Sequence, residues 1–546
     1  MLRLPFRTER LAHWLPKSTP ILFALMLLAG LALPLYTDEV GWRLQERAGI
    51  DGVDKLLSEQ CGPNTLAIPP WFMWPVRWYS AFFNTAWPDP FAIRLSGVAY
   101  AMGWGALLLA LIHRVARDGA RRGQLTVLCC GLMGLGVMPW LLVWSRPEQP
   151  IILAATASLL IACGADADKR PRWWAPIAIL MLGVVALSYH FKALILVPLF
   201  VASIVATGPM RRAWAMRGLS IMALLAVSAA SGHYWFARLA CPDDPLLAAQ
   251  HASQSLGLQL LTNGNWAMAA LRLIANYQLP DYVAQATPDI TPMSNWLLPG
   301  LVGKSTQIVW TVGMVALWLS GFVLMVWTLV SALWRRRMSR PLWLAVVTLA
   351  CVSVWCVSQV VRNVYEASFV LPLLTLAYAL ALSSWLPDRM PKTLRRIATT
   401  VGLALPVSVV AILAIYGPSL LAATGEGAYL PGQPYSVGLG HYDSLRREIL
   451  AVAASCGIRL QNHPTGLLVD DVTYFTFMDT RLPDHKISVL EPQWSGSLHD
   501  PLAYLRARHS SGAVVACNAL SPSLRAHAHA RGGVCCIGPD QWQAGR

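Results

Sequence analysis

Long apolar runs recur along this chain and leave it few ways to fold. An α-helix rises about 1.5 Å per residue, so crossing a ~30 Å hydrocarbon layer takes about 20 mostly apolar residues. Runs near that length stand at about eleven places: 18–36, 91–113, 124–144, 149–165, 173–189, 191–207, 215–236, 307–334, 341–359, 365–386 and 396–418. Only a turn at His190 separates the fifth from the sixth. Hydrophobic residues make up 55% of the 546 and charged residues 13%, a balance foreign to soluble domains of this size. The expected fold class is a polytopic α-helical membrane protein with about 11 transmembrane helices.

Charge then sets the orientation. With the N-terminus cytoplasmic, the inner loops hold Arg114, Arg117, Arg121 and Arg122; Lys169, Arg170 and Arg172; Arg211 and Arg212; Arg335, Arg336, Arg337 and Arg340; and Arg389, Lys392, Arg395 and Arg396. All five are basic, as cytoplasmic loops are. The formal charge of +15 is thus mostly a topology signal. Cations spread over membrane loops form no single patch, so nucleic acid is not an expected partner. No small-residue cleavage site follows the first run, which reads as an uncleaved anchor. The expected location is a bacterial inner (cytoplasmic) membrane, crossed many times, with the C-terminal end in the periplasm.

Three segments are left on the outer side, about 37–90, 237–306 and 419–546. Six of the 11 cysteines fall there: Cys61, Cys241, Cys456, Cys517, Cys535 and Cys536. An oxidising compartment permits disulfides, but their pairing is not legible from spacing. In the first segment, 40–47 and 70–84 read as amphipathic helices lying at the interface. The chain divides into a membrane unit, 1–420, and a tail, 421–546. After a Gly/Pro-rich linker the tail alternates helical spacing (442–456, 501–508) with strand-like runs (466–472, 486–490), and 513–517 and 534–537 are two more short apolar runs. That alternation predicts a small extracytoplasmic α/β domain.

Charged side chains at the ends of apolar runs carry the candidate chemistry. The acid pair Asp38-Glu39 stands where the first run ends, at outer head-group level. The short outer turns carry Arg146 and Glu148 (in Ser145-Arg146-Pro147-Glu148), His190 and Lys192 (in Tyr189-His190-Phe191-Lys192), and Arg362 (in Val361-Arg362-Asn363-Val364-Tyr365-Glu366). Orientation needs no positive charge on that side, and Arg and Lys make strong charge-assisted bonds to phosphate. The plainer reading is snorkelling or an ion pair, for example Arg146 with Glu148. Asp243-Asp244, Asp470-Asp471 and the histidines of the tail read as solvated turn and surface groups. No His/Asp cluster has metal-ligand spacing, and no Gly-x-Gly-x-x-Gly stands in the tail.

The order of these features resembles the GT-C fold glycosyltransferases, in the branch of the protein O-mannosyltransferases and the lipid A aminoarabinose transferases. The resemblance covers roughly 20–420. It rests on the acidic motif after the first run (Thr37-Asp38-Glu39), then Ile68-Pro69-Pro70-Trp71, then Phe91-Ala92-Ile93-Arg94-Leu95-Ser96, then Arg362 with Tyr365 and Pro372. The relatives often carry a Lys before the first-loop Pro, where this chain has Leu66-Ala67-Ile68-Pro69. The resemblance implies a sugar donor linked to a polyprenyl phosphate, an envelope acceptor not identified by sequence, and contact with membrane lipids. It makes Asp38 the base that deprotonates the acceptor. Glu39 would orient the acceptor or hold a divalent cation, the one cofactor in view. Arg94, Arg146, Glu148, His190, Lys192, Arg362 and Tyr365 would surround the donor phosphate.

Three other classes compete, the plainest being a structural membrane protein with a sensing tail. A transporter or flippase of lipid-linked saccharide places its ionisable groups near mid-membrane and is built from paired halves, whereas here they gather at one face. A polymerase or ligase shares the large outer loop but lacks an acidic motif after the first run.

Overall fold

The computed structural model describes residues 8–33, 35–36, 39, 57–58, 62–63, 90–164, 173–208, 214–239, 263–277, 304–358, 366–384, 391–425, 436–437, 442–458, 467–470, 473–477, 484–487, 512–517, 520 and 522–538. Helix stands in each of the eleven apolar segments: α1 (Thr8–Ala29), α2 (Pro90–Val115), α3 (Gly119–Gly134) with the short α4 (Met138–Leu142), α5 (Glu148–Gly164), α6 (Trp174–Tyr189), α7 (Val197–Val205), α8 (Trp214–Leu239), α10 (Lys304–Trp334), α11 (Arg340–Ser358), α12 (Ala367–Ser383) and α13 (Pro391–Gly425). Among the described residues, six helices are long and apolar enough to cross a membrane: α1, α2, α8, α10, α11 and α13. The helices at 148–164, 174–189, 191–205 and 367–383 are apolar but shorter. The sequence also predicts one continuous span over 124–144, and the structure breaks it. Gly136 turns the chain at φ 60° between α3 and α4, and its N–H goes to Ser408 Oγ at 2.8 Å. Likewise 191–207 begins as a 3-10 turn, Phe191–Leu196, and becomes α-helical only at Val197, with Pro198 in the first turn, where a missing N–H costs nothing.

The bundle is organised around α12. All 17 of its residues are buried, as expected of a helix apolar on every side. It packs against α2, α3, α5, α10 and α11. Tyr378 donates to Trp318 O at 3.2 Å, which satisfies a hydroxyl that burial would otherwise penalise. Close approach depends on small residues, as in lipid-embedded bundles. A Cβ on Gly131 would stand 2.4 Å from Val401, and one on Gly134 would stand 2.7 Å from Leu405. These two glycines seat α3 against α13. Where α3 starts, the Asp118 carboxylate caps it by accepting the Arg121 N–H at 2.7 Å.

The second outer segment contains a helix that sequence left unassigned, α9 (Trp266–Tyr277), which packs against α11. The amphipathic stretches proposed at 40–47 and 70–84, and the helix at 501–508, lie outside the described residues.

The tail forms a five-stranded sheet in the order β6-β5-β7-β9-β8, with α14 (Tyr442–Ser455) and α15 (Pro522–His527). Strands β5 (Leu467–Asp470), β6 (Asp484–Ile487) and β7 (Gly512–Ala516) run parallel. β9 (Val534–Ile537) is antiparallel to β7 and to β8 (His529–Arg531). The all-apolar β7 and β9 are buried throughout, as central strands covered on both faces are. Two disulfides close the unit, Cys456–Cys536 and Cys517–Cys535. Ahead of it, β4 (Ser436–Val437) pairs antiparallel with β1 (Leu35–Tyr36), so the linker is fastened to the segment that leads into the acidic motif. Two further short strands, β2 (Leu57–Ser58) and β3 (Gly62–Pro63), pair with each other.

Because the bridges close loops of 80 and 18 residues, chain entropy assigns them about 4.5 and about 3 kcal/mol respectively. Non-reducing tryptic mapping should give a single three-peptide cluster, since no Lys or Arg separates Cys535 from Cys536. Cys456→Ser should make the tail protease-sensitive while α1–α13 stay intact. Recovery of Cys456 as a free thiol from oxidised protein would contradict the pairing.

Candidate functional site

Of the acidic motif, Glu39 is described and Asp38 lies outside the described residues. Glu39 is fully buried. Its Oε1 accepts Arg94 Nη2 at 2.7 Å and its Oε2 accepts the Ser145 backbone N–H at 2.7 Å. Arg94 is equally buried. Its Nε donates to Leu33 O at 3.3 Å and its Nη1 to Val143 O at 3.0 Å. One guanidinium therefore joins the end of α1, the acidic motif and the 143–145 turn. Close packing makes this possible: a Cβ on Gly97, one turn after Arg94, would stand 2.0 Å from Val143 O. Gln149 adds a second tie, donating to Gly97 O at 2.9 Å and Leu142 O at 2.6 Å.

These contacts bear on two expectations. Arg94 was expected at the donor phosphate, but its charge is spent on Glu39 and two carbonyls. Glu39 was expected to meet acceptor or metal, but both of its oxygens are engaged inside the protein. A buried charge is tolerable only when paired and hydrogen-bonded, and here each ion is the reason the other can be buried. The pair is a strut that holds the acidic motif against the 143–145 turn.

A second network continues from that turn. Arg146 Nε reaches Glu148 Oε2 at 3.3 Å. Lys192 Nζ bonds Glu148 Oε1 and, at 2.8 and 3.1 Å, both oxygens of Glu366. Trp355 Nε1 donates to Glu366 Oε2 at 3.1 Å. Lys192 Nζ also lies 5.0 Å from the Trp355 ring centroid and 5.9 Å from that of Phe369, within cation–π range. Arg146, Glu148, Lys192 and Glu366 are all buried. Both carboxylates sit at helix starts, Glu148 in the first turn of α5 and Glu366 just before α12, where the helix dipole favours negative charge.

The structure thus brings Arg146, Glu148 and Lys192 together as the sequence predicted, but with a different division of labour. The ion pair offered as the plainer reading of Arg146 and Glu148 is present. Glu148 cannot itself bind an anion; it orients two cations. His190 is half-buried and its Nδ1 accepts the Lys192 N–H at 3.1 Å. Burial first, and Lys192 second, hold its pKa well below the usual imidazole value. Arg362 and Tyr365 lie outside the described residues. Sequence reading missed Glu366 and Trp355 as members of the site. The signal was there: an acid at the head of an apolar helix needs a partner. Among the described residues, no three His, Cys, Asp or Glu side chains come together as metal ligands.

Removing one member of the strut should unmask the cost of the other. Arg94→Met should cost about 3–5 kcal/mol by stranding Glu39, and adding Glu39→Gln should recover part of it. Thermal unfolding in detergent checks this, and an Arg94→Met protein as stable as wild type would refute the strut.

No family model matches the sequence, and no curated protein matches it. Among solved structures the chain is similar to ArnT from Cupriavidus metallidurans bound to undecaprenyl phosphate, with 14% identity, TM-score 0.46, and coverage of 96% of this chain and 98% of that one. It is also similar to the archaeal oligosaccharyltransferase AglB from Archaeoglobus fulgidus in complex with an inhibitory peptide and a dolichol-phosphate. There the identity is 12%, the TM-score 0.50, and the coverage 93% of this chain and 70% of that one. Identity this low speaks for the path of the backbone alone, and on that path the chain has the GT-C fold.

Proposed function

We propose that this chain is a glycosyltransferase that moves a sugar from a polyprenyl-phosphate carrier to a cell-envelope acceptor on the outer face of a bacterial inner membrane, with inversion at the anomeric carbon. The observation that carries the reading is the continuous buried polar run Glu39–Arg94–(143–145)–Arg146–Glu148–Lys192–Glu366. It ties the acidic motif at the end of α1 to the cation-bearing turns at the heads of α5, α7 and α12. The likeness to an oligosaccharyltransferase solved with dolichol-phosphate supports a lipid-phosphate donor for the same fold.

In the proposed reaction an acceptor hydroxyl or amine attacks the sugar C1 from the face opposite the phosphate. The C1–O bond to phosphate breaks, polyprenyl phosphate departs with the electron pair, and Asp38 takes the acceptor's proton. Phosphate needs no proton to leave; it needs fixed positive charge directed at its oxygens. Lys192 and Arg146 supply that field, with Arg362 as the third cation. Glu148 and Glu366 keep Lys192 oriented while no donor is bound. In this reading residues 1–420 are the catalytic unit, and the tail sheet faces the periplasm, where its disulfides can form.

Reconstituted protein given a polyprenyl-phosphate sugar tests the proposal. Asp38→Asn should lower transfer by about 100-fold or more, the usual weight of a general base, with membrane insertion unchanged; retained transfer would move the base elsewhere. Lys192→Ala should raise the donor KM more than it lowers kcat. Movement of intact lipid-linked saccharide between leaflets, with no new glycosidic bond, would favour the flippase reading.

A further inference from the structure

A lysine ammonium has three N–H groups to donate, and at Lys192 three carboxylate oxygens stand against them. Nζ bonds Glu148 Oε1 and both oxygens of Glu366. A phosphate oxygen can bond Lys192 only by taking the place of one of these acids. The two are not equally held. Glu148 keeps a second cation when Lys192 turns away, since Arg146 reaches its Oε2 at 3.3 Å and its Oε1 at 3.5 Å. It also sits in the first turn of α5, where the helix dipole favours negative charge. Glu366 has one cation among the described residues, Lys192. Its other partner is the neutral Trp355 N–H at 3.1 Å. Glu366 is buried and leads straight into α12, whose residues are all buried. A carboxylate that loses its cation in such a place is costly unless it becomes neutral.

Charge points the same way. Arg146 and Lys192 balance Glu148 and Glu366. A bound phosphodiester adds one negative charge to this buried group, and a proton on Glu366 removes one. As a carboxylic acid, Glu366 still accepts the Trp355 N–H through its carbonyl oxygen, and its O–H becomes a donor for phosphate. The other titratable groups near this point are His190, in the turn that carries Lys192, and Cys356, next to Trp355 on α11 and within electrostatic reach of Glu366. Arg362 and Tyr365 lie outside the described residues. On the polyprenyl-phosphate reading of this site, on which the inference rests, we propose that Glu366 is the internal stand-in for the donor phosphate. It holds Lys192 while no donor is bound. The incoming phosphodiester displaces it from Lys192, and its carboxylate takes up one proton from solvent. The sign follows from linkage: the bound state carries the extra proton, so affinity falls as pH rises.

Titration calorimetry of the full-length protein in detergent tests this, with methyl undecaprenyl phosphate as the probe, a phosphodiester whose single charge does not titrate near neutrality. Runs in buffers of different ionisation heat should report uptake of about one proton per lipid bound, and Kd should rise about tenfold per pH unit where Glu366 is charged in the free protein. Glu366→Gln should abolish the uptake, flatten the pH dependence and bind the lipid more tightly than wild type at the alkaline end. His190→Gln should keep the uptake. Uptake that survives in Glu366→Gln, or is lost in His190→Gln, would overturn the assignment to Glu366. Lipid bound by the wild type with no net proton uptake would overturn the exchange while leaving the donor reading in place. No binding at any pH, by wild type or variant, would overturn the donor reading and this inference with it. If Glu366→Gln does not fold, the proton count of the wild type and of His190→Gln still decides.

Discussion

Burial of the Arg94 charge is the constraint on which the rest of the rim depends. A guanidinium with no solvent contact must find acceptors within reach, and this one finds them on three separate pieces of chain: the end of α1, the acidic motif and the turn after α4. Those bonds, together with the packing of Val143 on Gly30, fix the height of the 143–145 turn relative to the end of α1. Dispersion and shape can slide one apolar helix along another at little cost, whereas a buried ion pair tolerates little displacement. Arg94 thus converts non-directional helix packing into a defined register at the place where the proposed chemistry needs one.

The Lys192 network applies the same physics to a different end. Two cations and two carboxylates balance, so the cluster can be buried without net charge, and its charges come from three places in the chain: the 145–148 turn, the 190–192 turn and the head of α12. Such a cluster is preorganised: its cations are already desolvated and oriented before any ligand arrives. In the proposed reaction, the reorganisation that phosphate binding would otherwise require is already built into the fold. The strut holds Glu39, and the balanced cluster holds the cations. Ser145 and Arg146, adjacent in the chain, join the two.

The helical class and the sites of the helices were legible because apolar runs and basic loops report on the bilayer directly. The breaks were less so. Gly136 looks like one more small residue in an apolar run until its φ and its bond to Ser408 are seen, and α9 is too short and mixed to stand out. In the tail, the apolar runs at 513–517 and 534–537 marked the two central strands, since strands covered on both faces read as continuous hydrophobic stretches. The disulfide pairing was not legible, because spacing alone cannot decide among thiols. At the site, the sequence showed which turns carry charge but not how that charge is shared: Arg94 lies on Glu39 and two carbonyls, and Lys192 on Glu148 and Glu366, because a sequence shows where a charge is but not which internal group lies beside it. Glu366 lay in the same stretch as Arg362 and Tyr365 and was passed over for that reason.

The short ladder between β1 and β4 bears on how the molecule comes into being. β1 is made before every helix that follows α1, but its partner strand follows only after α13, the last helix of the bundle. Until then the stretch running into the acidic motif has an open backbone edge. The ladder is among the latest contacts that translation permits, and a truncated chain carrying every apolar helix would still lack it. Closure at this corner of the bundle therefore waits for the chain beyond α13.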